Sequence, residues 1–486
     1  MPSPNAIILI FDTLRADHLS CYGGQVDTPH FDRLAEHGTL FESAFAAGPA
    51  TPISHAALYT GQYPSENGVT GQYLQLPENV PVMAEWLQKR GYDTYGITGP
   101  AKMGSDWGYD RGFNSMFETY YDLGKRPSKK YFKKVVSDRL VARDFIQTMI
   151  KGGRSYTSLK FNVLCEKIRN DLTHPFFALC NVLPTHLPYD PPRPYKKQRC
   201  SNYSRPRWFF LEYLLNTSGD INNSEIRLDR IRRIEDGEGI GQFLANPDWL
   251  NNSEIELLQR WYEASVKYAD DIFGRFLEFY ERELIEDTIL IVTADHGEQL
   301  GEKDIWEHSH YLFDETIQVP LLIAGPRVPT GVRRGDLASL IDIFDTVCDL
   351  CDLETPNTTS GESLFSDDQR EKVFMEYGER DQQEFAQNSN HGRYLDTEQL
   401  REFSAGRKGV RTDEYKFVMS SIDEEKLYRI PGEELIEDPE DDMLDKFRKD
   451  IKTILGDEFG RWPEGDPSEF ELSNEVEKNL RDLGYI

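Results

Sequence analysis

The chain predicts an α/β fold: a doubly wound, mostly parallel sheet flanked by helices, followed by a smaller C-terminal α+β unit. Three observations carry this reading. "AIILIF" and "TILIVTA" are continuous runs rich in Ile, Leu and Val that end in Asp12 and in Asp295-His296, as strands buried on both faces of a parallel sheet do. Further apolar runs, "YDTYGIT", "PFFALCNVL" and "VPLLIAGP", alternate with helical patterns over the first two thirds of the chain. Beyond about residue 360, "GVRTDEYKFVMS" and "EKLYRI" read instead as antiparallel strands.

In order, "TPHFDRLAEHG" is a short helix opened by Thr28 with Pro29 at its first position and closed by Gly38. "TLFESAFAAG" is a strand and "TPISHAALYTG" a helix. "VPVMAEWLQKRG" is a helix closed by Gly91, and "YDTYGIT" the next strand. Residues 122–170 hold thirteen Lys or Arg against four Asp or Glu. This basic segment reads either as a solvated helical insertion against acidic neighbours or as a platform for an anionic substrate. After "PFFALCNVL", the prolines of "PTHLPYDPP" force an extended loop. A long helix opens at Asn252-Ser253-Glu254, with Ser253 and Glu256 spaced as a capping box, and runs to about Leu284. "LASLIDIFDTVCDLCDL" is a helix, and "SNEVEKNLRDLGYI" the last one. The expected units are residues 1–358, catalytic, with the basic insertion at about 122–170, and 359–486, a subdomain with a small antiparallel sheet and a terminal helix.

Composition narrows the function. With 486 residues, 38% of them hydrophobic, the chain can bury a large core. A net charge of −29 argues against nucleic acid as partner; such acidity keeps a folded enzyme soluble and suits a salt-rich or an ordinary cytoplasm equally. No apolar run approaches the ~20 residues of a membrane span, and "AIILIF" is too short for a signal sequence. The six cysteines make no disulfide framework. Cys348 and Cys351 share a helix face without the partners a zinc site requires. A cytoplasmic, reduced protein is expected.

The chemistry rests on where the strands end. Ligands of open α/β sheets bind beyond the carboxyl ends of the strands, so Asp12, Asp295 and His296 can converge on one divalent metal. Thr51 starts a helix with Pro52 behind it, either as a plain N-cap or, beside a metal, as a nucleophile whose hydroxyl pKa is lowered. His186, in the proline-rich loop, and His310, with His308 as its competitor, are candidate clamps for substrate charge; Lys102 and His55 are further cations for the same task.

The segments "IILIFDTLRADHLSCYG", "TPHFDRLAEHGTLFESAFA", "TPISHAALYTGQYPSENGV", "PTHLPYDPP", "TADHGEQLGE…VPLLIAGP" and the tail "LRDLGYI" together resemble the sulfatase family of the alkaline phosphatase superfamily. The resemblance spans about residues 4–355 plus the tail. It implies an alkaline phosphatase-like sheet, metal-assisted ester hydrolysis and metal ligands at Asp12, Asp295 and His296, with calcium the family's usual ion. The chain departs from the family pattern at several positions. Thr51 stands where Cys or Ser is converted to formylglycine, Ile53 at the usual Pro and His55 at the usual Arg, so no formylglycine is expected. Thr13 replaces a second Asp, Lys102 a His, Pro100 a Lys, and His310 a Lys. A His ligand also moves the preference toward manganese or zinc.

Three functions follow as expectations. The first is a sulfatase-like hydrolase that cleaves sulfate esters of small molecules, glycans or lipids through Thr51. The second is a phosphomonoester, phosphodiester or phosphonate hydrolase, or a phosphoryl transferase, on the same site. The third is a degenerate, non-catalytic anion binder acting through the basic segment.

Overall fold

The computed structural model of the chain describes residues 3–71, 74–119, 156–192, 194–196 and 227–460, apart from 236, 238, 309 and 390, together with 139 and 142. Most of the basic segment and the expected terminal helix lie outside the described residues.

The first sheet contains β1 (Asn5–Phe11), β2 (Thr39–Phe45), β3 (Asp93–Thr98), β4 (Ser115–Glu118), β5 (Phe176–Val182) and β6 (Thr288–Thr293). A short hairpin, β7 (Gln299–Leu300) and β8 (Trp306–Glu307), follows. β9 (Gln318–Ala324) and β10 (Val332–Ser339) complete the sheet in the order β10-β2-β9-β6-β1-β5-β3-β4. β1 lies at its centre, parallel to β5 and β6, with all seven residues buried. That is why "AIILIF" shows no polar alternation. Only β9 runs against its neighbours β2 and β6. The strands β1, β2, β3, β5 and β6 therefore all end at the same edge.

The helices that matter here are α1 (Pro29–His37), α2 (Thr51–Thr60), α3 (Thr157–Asn170), α4 (Asn252–Glu283) and α5 (Asp342–Leu350). α1 has the expected bounds, but Thr28 makes no cap. Asp270 of α4 accepts from the backbone N–H groups of His30 and Phe31 instead. The capping box of α4 is two residues earlier than expected. Asn251 accepts from the Glu254 N–H at 3.0 Å and Glu254 accepts in return from the Asn251 N–H at 2.9 Å. Asn is as good an N-cap as Ser. Leu337–Ser339, expected in a helix, close β10; the helix begins at Asp342, whose carboxylate accepts from the Ser339 N–H.

The C-terminal unit is a five-stranded antiparallel sheet in sequence order: β11 (Val373–Tyr377), β12 (Arg407–Arg411), β13 (Tyr415–Ser420), β14 (Glu425–Arg429) and β15 (Glu434–Leu435). It is joined to the first unit by buried charge. Asp314, just before β9, accepts from Arg411 at 2.7 Å and from Lys416 at 3.1 Å, and Lys416, fully buried, also contacts Glu433. Removing one member of such a group strands the others without a partner. Lys416→Met is therefore expected to lower unfolding stability by about 3 kcal/mol, measured by urea denaturation; an unchanged midpoint would show that the network holds nothing together.

Candidate active site

The shared strand edge gathers the site. Asp12 follows β1, Asp295 follows β6, the β2 end leads through a short loop to Thr51, and the β5 end carries Asn181 and, further on, His186. Ligand atoms of Asp12, Asp295 and His296 all lie within 4.8 Å of one another, and all three residues are buried. Thr51 Oγ1 is 3.0 Å from His296 Nε2. Nδ1–H of His296 donates to the Gly297 carbonyl at 2.8 Å, which leaves the Nε2 lone pair for a ligand. The Gly297 backbone is packed so tightly that a Cβ there would stand 2.1 Å from the Glu315 carbonyl oxygen. That accounts for the glycine of Asp-His-Gly.

Both carboxylate oxygens of Asp12 and one of Asp295 are buried without a hydrogen-bond partner. Burial, then the charges of Asp295 and Glu298, push Asp12 well above the ordinary carboxylate range, opposed in part by Lys160. Burial pushes Asp295 up as well, but His296, His55 and two backbone N–H donors bring it below its ordinary value. Orphaned buried anions facing an imidazole lone pair fit a divalent cation, which supplies the missing partner. Asp12, Asp295 and His296, with the Thr51 hydroxyl beside them, are the residues that would hold it.

Thr51 is the first residue of α2, with Ala50 as N-cap and Pro52 second. Its side chain is thus free of the capping role and points to His296. His55, one turn on, is a neutral support rather than a cation. Its Nδ1–H donates to the Thr51 carbonyl at 2.9 Å, its Nε2 lies 3.2 Å from the Asn181 amide, and burial holds its pKa down.

Of the expected clamps, His186 lies beside His308. Its ring lies 5.5 Å from that of His308, its Nδ1–H donates to the Leu187 carbonyl, and burial with the neighbouring His308 lowers its pKa to about 4. His310 is not placed as expected. Its ring sits among Tyr377, Phe385 and Phe403, with Nδ1–H on the Phe403 carbonyl. His308 takes the position instead, its ring 4.3 Å from that of His296 and its Nδ1 2.9 Å from Glu298 Oε1. Lys102, on a turn after β3, feels Arg380 and Glu307 rather than the metal group.

Sequence reasoning missed two members. Glu298, fully buried and with one oxygen unpartnered, is lifted to about 7 by burial; its signal was a carboxylate two residues beyond His296. Lys160 of α3 is buried beneath the site, donates to the Asn181 carbonyl at 2.9 Å and acts on Asp12. It lies in the basic segment, where one lysine among apolar residues was lost among many. Gly99 leaves room for it, since a Cβ there would come within 2.2 Å of its Nζ.

An alkaline phosphatase-like sheet with acids at its carboxyl edge, and a hydroxyl beside them, defines an ester hydrolase. The sulfatase family model matches residues 4–353, and the chain belongs to that family. It is 24% identical to an uncharacterized sulfatase of Escherichia coli over 78% of this chain and 73% of that one. It is 23% identical to an N-acetylglucosamine-6-O-sulfatase of Bacteroides thetaiotaomicron over 96% of this chain and 88% of the other. The structure is similar to a phosphonate monoester hydrolase of Agrobacterium radiobacter, with a TM-score of 0.64, 21% identity and coverage of 88% and 90%; this similarity is one of fold.

Proposed function

We propose that the protein hydrolyses sulfate esters, with Thr51 as nucleophile and a divalent ion held by Asp12, Asp295 and His296. The observation that carries this reading is the Thr51 hydroxyl, 3.0 Å from His296 Nε2 and beside carboxylate oxygens that have no other partner. A bound ion would lower the hydroxyl's pKa and draw charge from the ester. Thr51, its hydroxyl proton released to solvent, forms a bond from Oγ to sulfur as the bond from sulfur to the leaving oxygen breaks. Water then displaces Thr51 at sulfur, which restores the hydroxyl and releases sulfate. His186 and His308, neutral when the site is empty of substrate, gain protons as the anion enters and return one to the leaving alkoxide. The N-terminus of α2 adds its dipole to the anion's side of the site. Kinship with an N-acetylglucosamine-6-O-sulfatase supports a sugar sulfate as substrate.

A phosphoryl reading uses the same atoms. The fold it shares with a phosphonate monoester hydrolase, and the hydroxyl in place of an aldehyde hydrate, favour it as the alternative. Matched nitrophenyl sulfate, phosphate and phenylphosphonate esters separate the two. Turnover is expected to be largest on sulfate, to vanish with a chelator and to return with manganese or calcium. Much faster turnover of the phosphorus esters would transfer the assignment to them, and chelator-resistant turnover would end the metal reading.

A further inference from the structure

The two segments that carry the metal group are fastened together through one residue of unusual backbone. Thr13 follows Asp12 with a φ of 60°. A β-branched side chain in that left-handed region is an outlier, and such strain persists only where the surroundings over-determine it. Here they do. The Tyr262 hydroxyl of α4 donates to the Thr13 carbonyl at 2.7 Å and accepts from the Arg15 N–H at 3.0 Å, so it brackets Leu14 from both sides. Tyr262 is fully buried, with the rings of His18 and Tyr189 edge-on to it at 5.0 and 5.4 Å. The Arg15 guanidinium reaches the other segment, where its Nη1–H donates to the Glu298 carbonyl at 3.1 Å.

The turn sets the direction of the Thr13 N–H. That group donates to Asp295 Oδ1 at 3.3 Å, and the His296 N–H donates to the same oxygen at 3.0 Å. Oδ1 is thereby taken twice, and Oδ2 is the oxygen left buried without a hydrogen-bond partner. The Thr13 side chain, which offers no carboxylate, donates to the Asp12 carbonyl at 2.7 Å, as Thr185 does at 2.6 Å. The Asp12 N–H donates to the Val182 carbonyl at 2.9 Å. Asp12 is thus held by its backbone, which leaves both carboxylate oxygens over. Resting on the reading of Asp12, Asp295 and His296 as a metal group, we propose that Tyr262 is a positioning residue for it. Its hydroxyl keeps Thr13 left-handed, and the Thr13 amide turns Asp295 so that Oδ2 is the oxygen offered. Tyr262 acts only through this turn.

Calorimetric titration of manganese into the chelator-stripped full chain tests the role without turnover; binding that Asp12→Asn abolishes reports this site. Tyr262→Phe removes one oxygen and keeps the ring in its packing. It is expected to weaken manganese binding at least about tenfold, the scale for groups that orient metal ligands from behind. In the Thr13→Gly background the same change is expected to cost less than about threefold, because glycine takes a positive φ unaided. Urea midpoints of the metal-free chains separate site from fold. A Tyr262→Phe chain with a lower midpoint but the parent's manganese affinity would make Tyr262 a packing residue and overturn the proposal. An equal loss of affinity in both backgrounds would also overturn it, since the Thr13 conformation would not be the route. A parent that binds no manganese would overturn the metal reading, and the positioning role with it.

Discussion

Thr51→Ala is expected to reduce turnover by about 10⁴-fold, the scale seen when a nucleophile is removed and only binding and charge stabilisation remain. The fold should survive. Thr51 is the first residue of α2 and Ala50, not Thr51, is the cap, so no capping bond is lost, and Ala is the better helix former. Thr51→Ser keeps the hydroxyl and is expected to stay within about tenfold of the parent. A rapid acid quench followed by peptide mass analysis should find one sulfuryl group on the Thr51 peptide of the parent and none on the Ala variant. Parent-like turnover by the Ala variant would remove Thr51 from the chemistry. A modified peptide elsewhere would name its replacement.

Asp12→Asn is expected to move activity and metal-free stability in opposite directions. Catalysis and metal affinity should be lost, since one of two anionic ligands becomes neutral. The metal-free protein, however, should become more stable by about 2 kcal/mol at neutral pH. The reasoning is one of linkage. Burial and the charges of Asp295 and Glu298 raise the folded-state pKa of Asp12 above the ordinary carboxylate value of 3.8. Below that value folded and unfolded chains are both protonated there and nothing is at stake. As pH rises, the unfolded chain releases its proton freely while the folded chain must bury an unpartnered charge, so the folded state loses ground up to its own raised pKa. Asn removes that cost. Thermal unfolding with and without manganese reads both effects: the parent midpoint should rise on adding metal, whereas the variant should start higher and not respond. A variant that starts lower, or that still responds to metal, would show that Asp12 is satisfied by something other than a cation.

How much of this was legible beforehand depends on how local each signal is. Strands β1, β5, β6 and β9 were plain because runs buried on both faces need apolar residues at every position. Asp12 and Asp295-His296 were legible for a related reason: acids directly after such runs have no role in a core, and a parallel sheet sends such ends to one edge. Cap positions were less secure. Several polar residues near the start of α4 can cap it, and Asn251, paired reciprocally with Glu254, is the one that does.

Residue type and position in the chain alone pointed to the family, the sheet and the grouping of Asp12, Asp295 and His296 at one strand edge, because each is written in short runs whose meaning does not depend on distant partners. Only the tertiary structure decided that His308 and not His310 stands over His296, that His55 supports Thr51 instead of carrying charge, and that Lys160 reaches under Asp12. Those outcomes turn on the direction of single side chains and on groups as far apart in the chain as Asp12 and Lys160. Burial then sets their protonation through desolvation, which no spacing along the chain encodes.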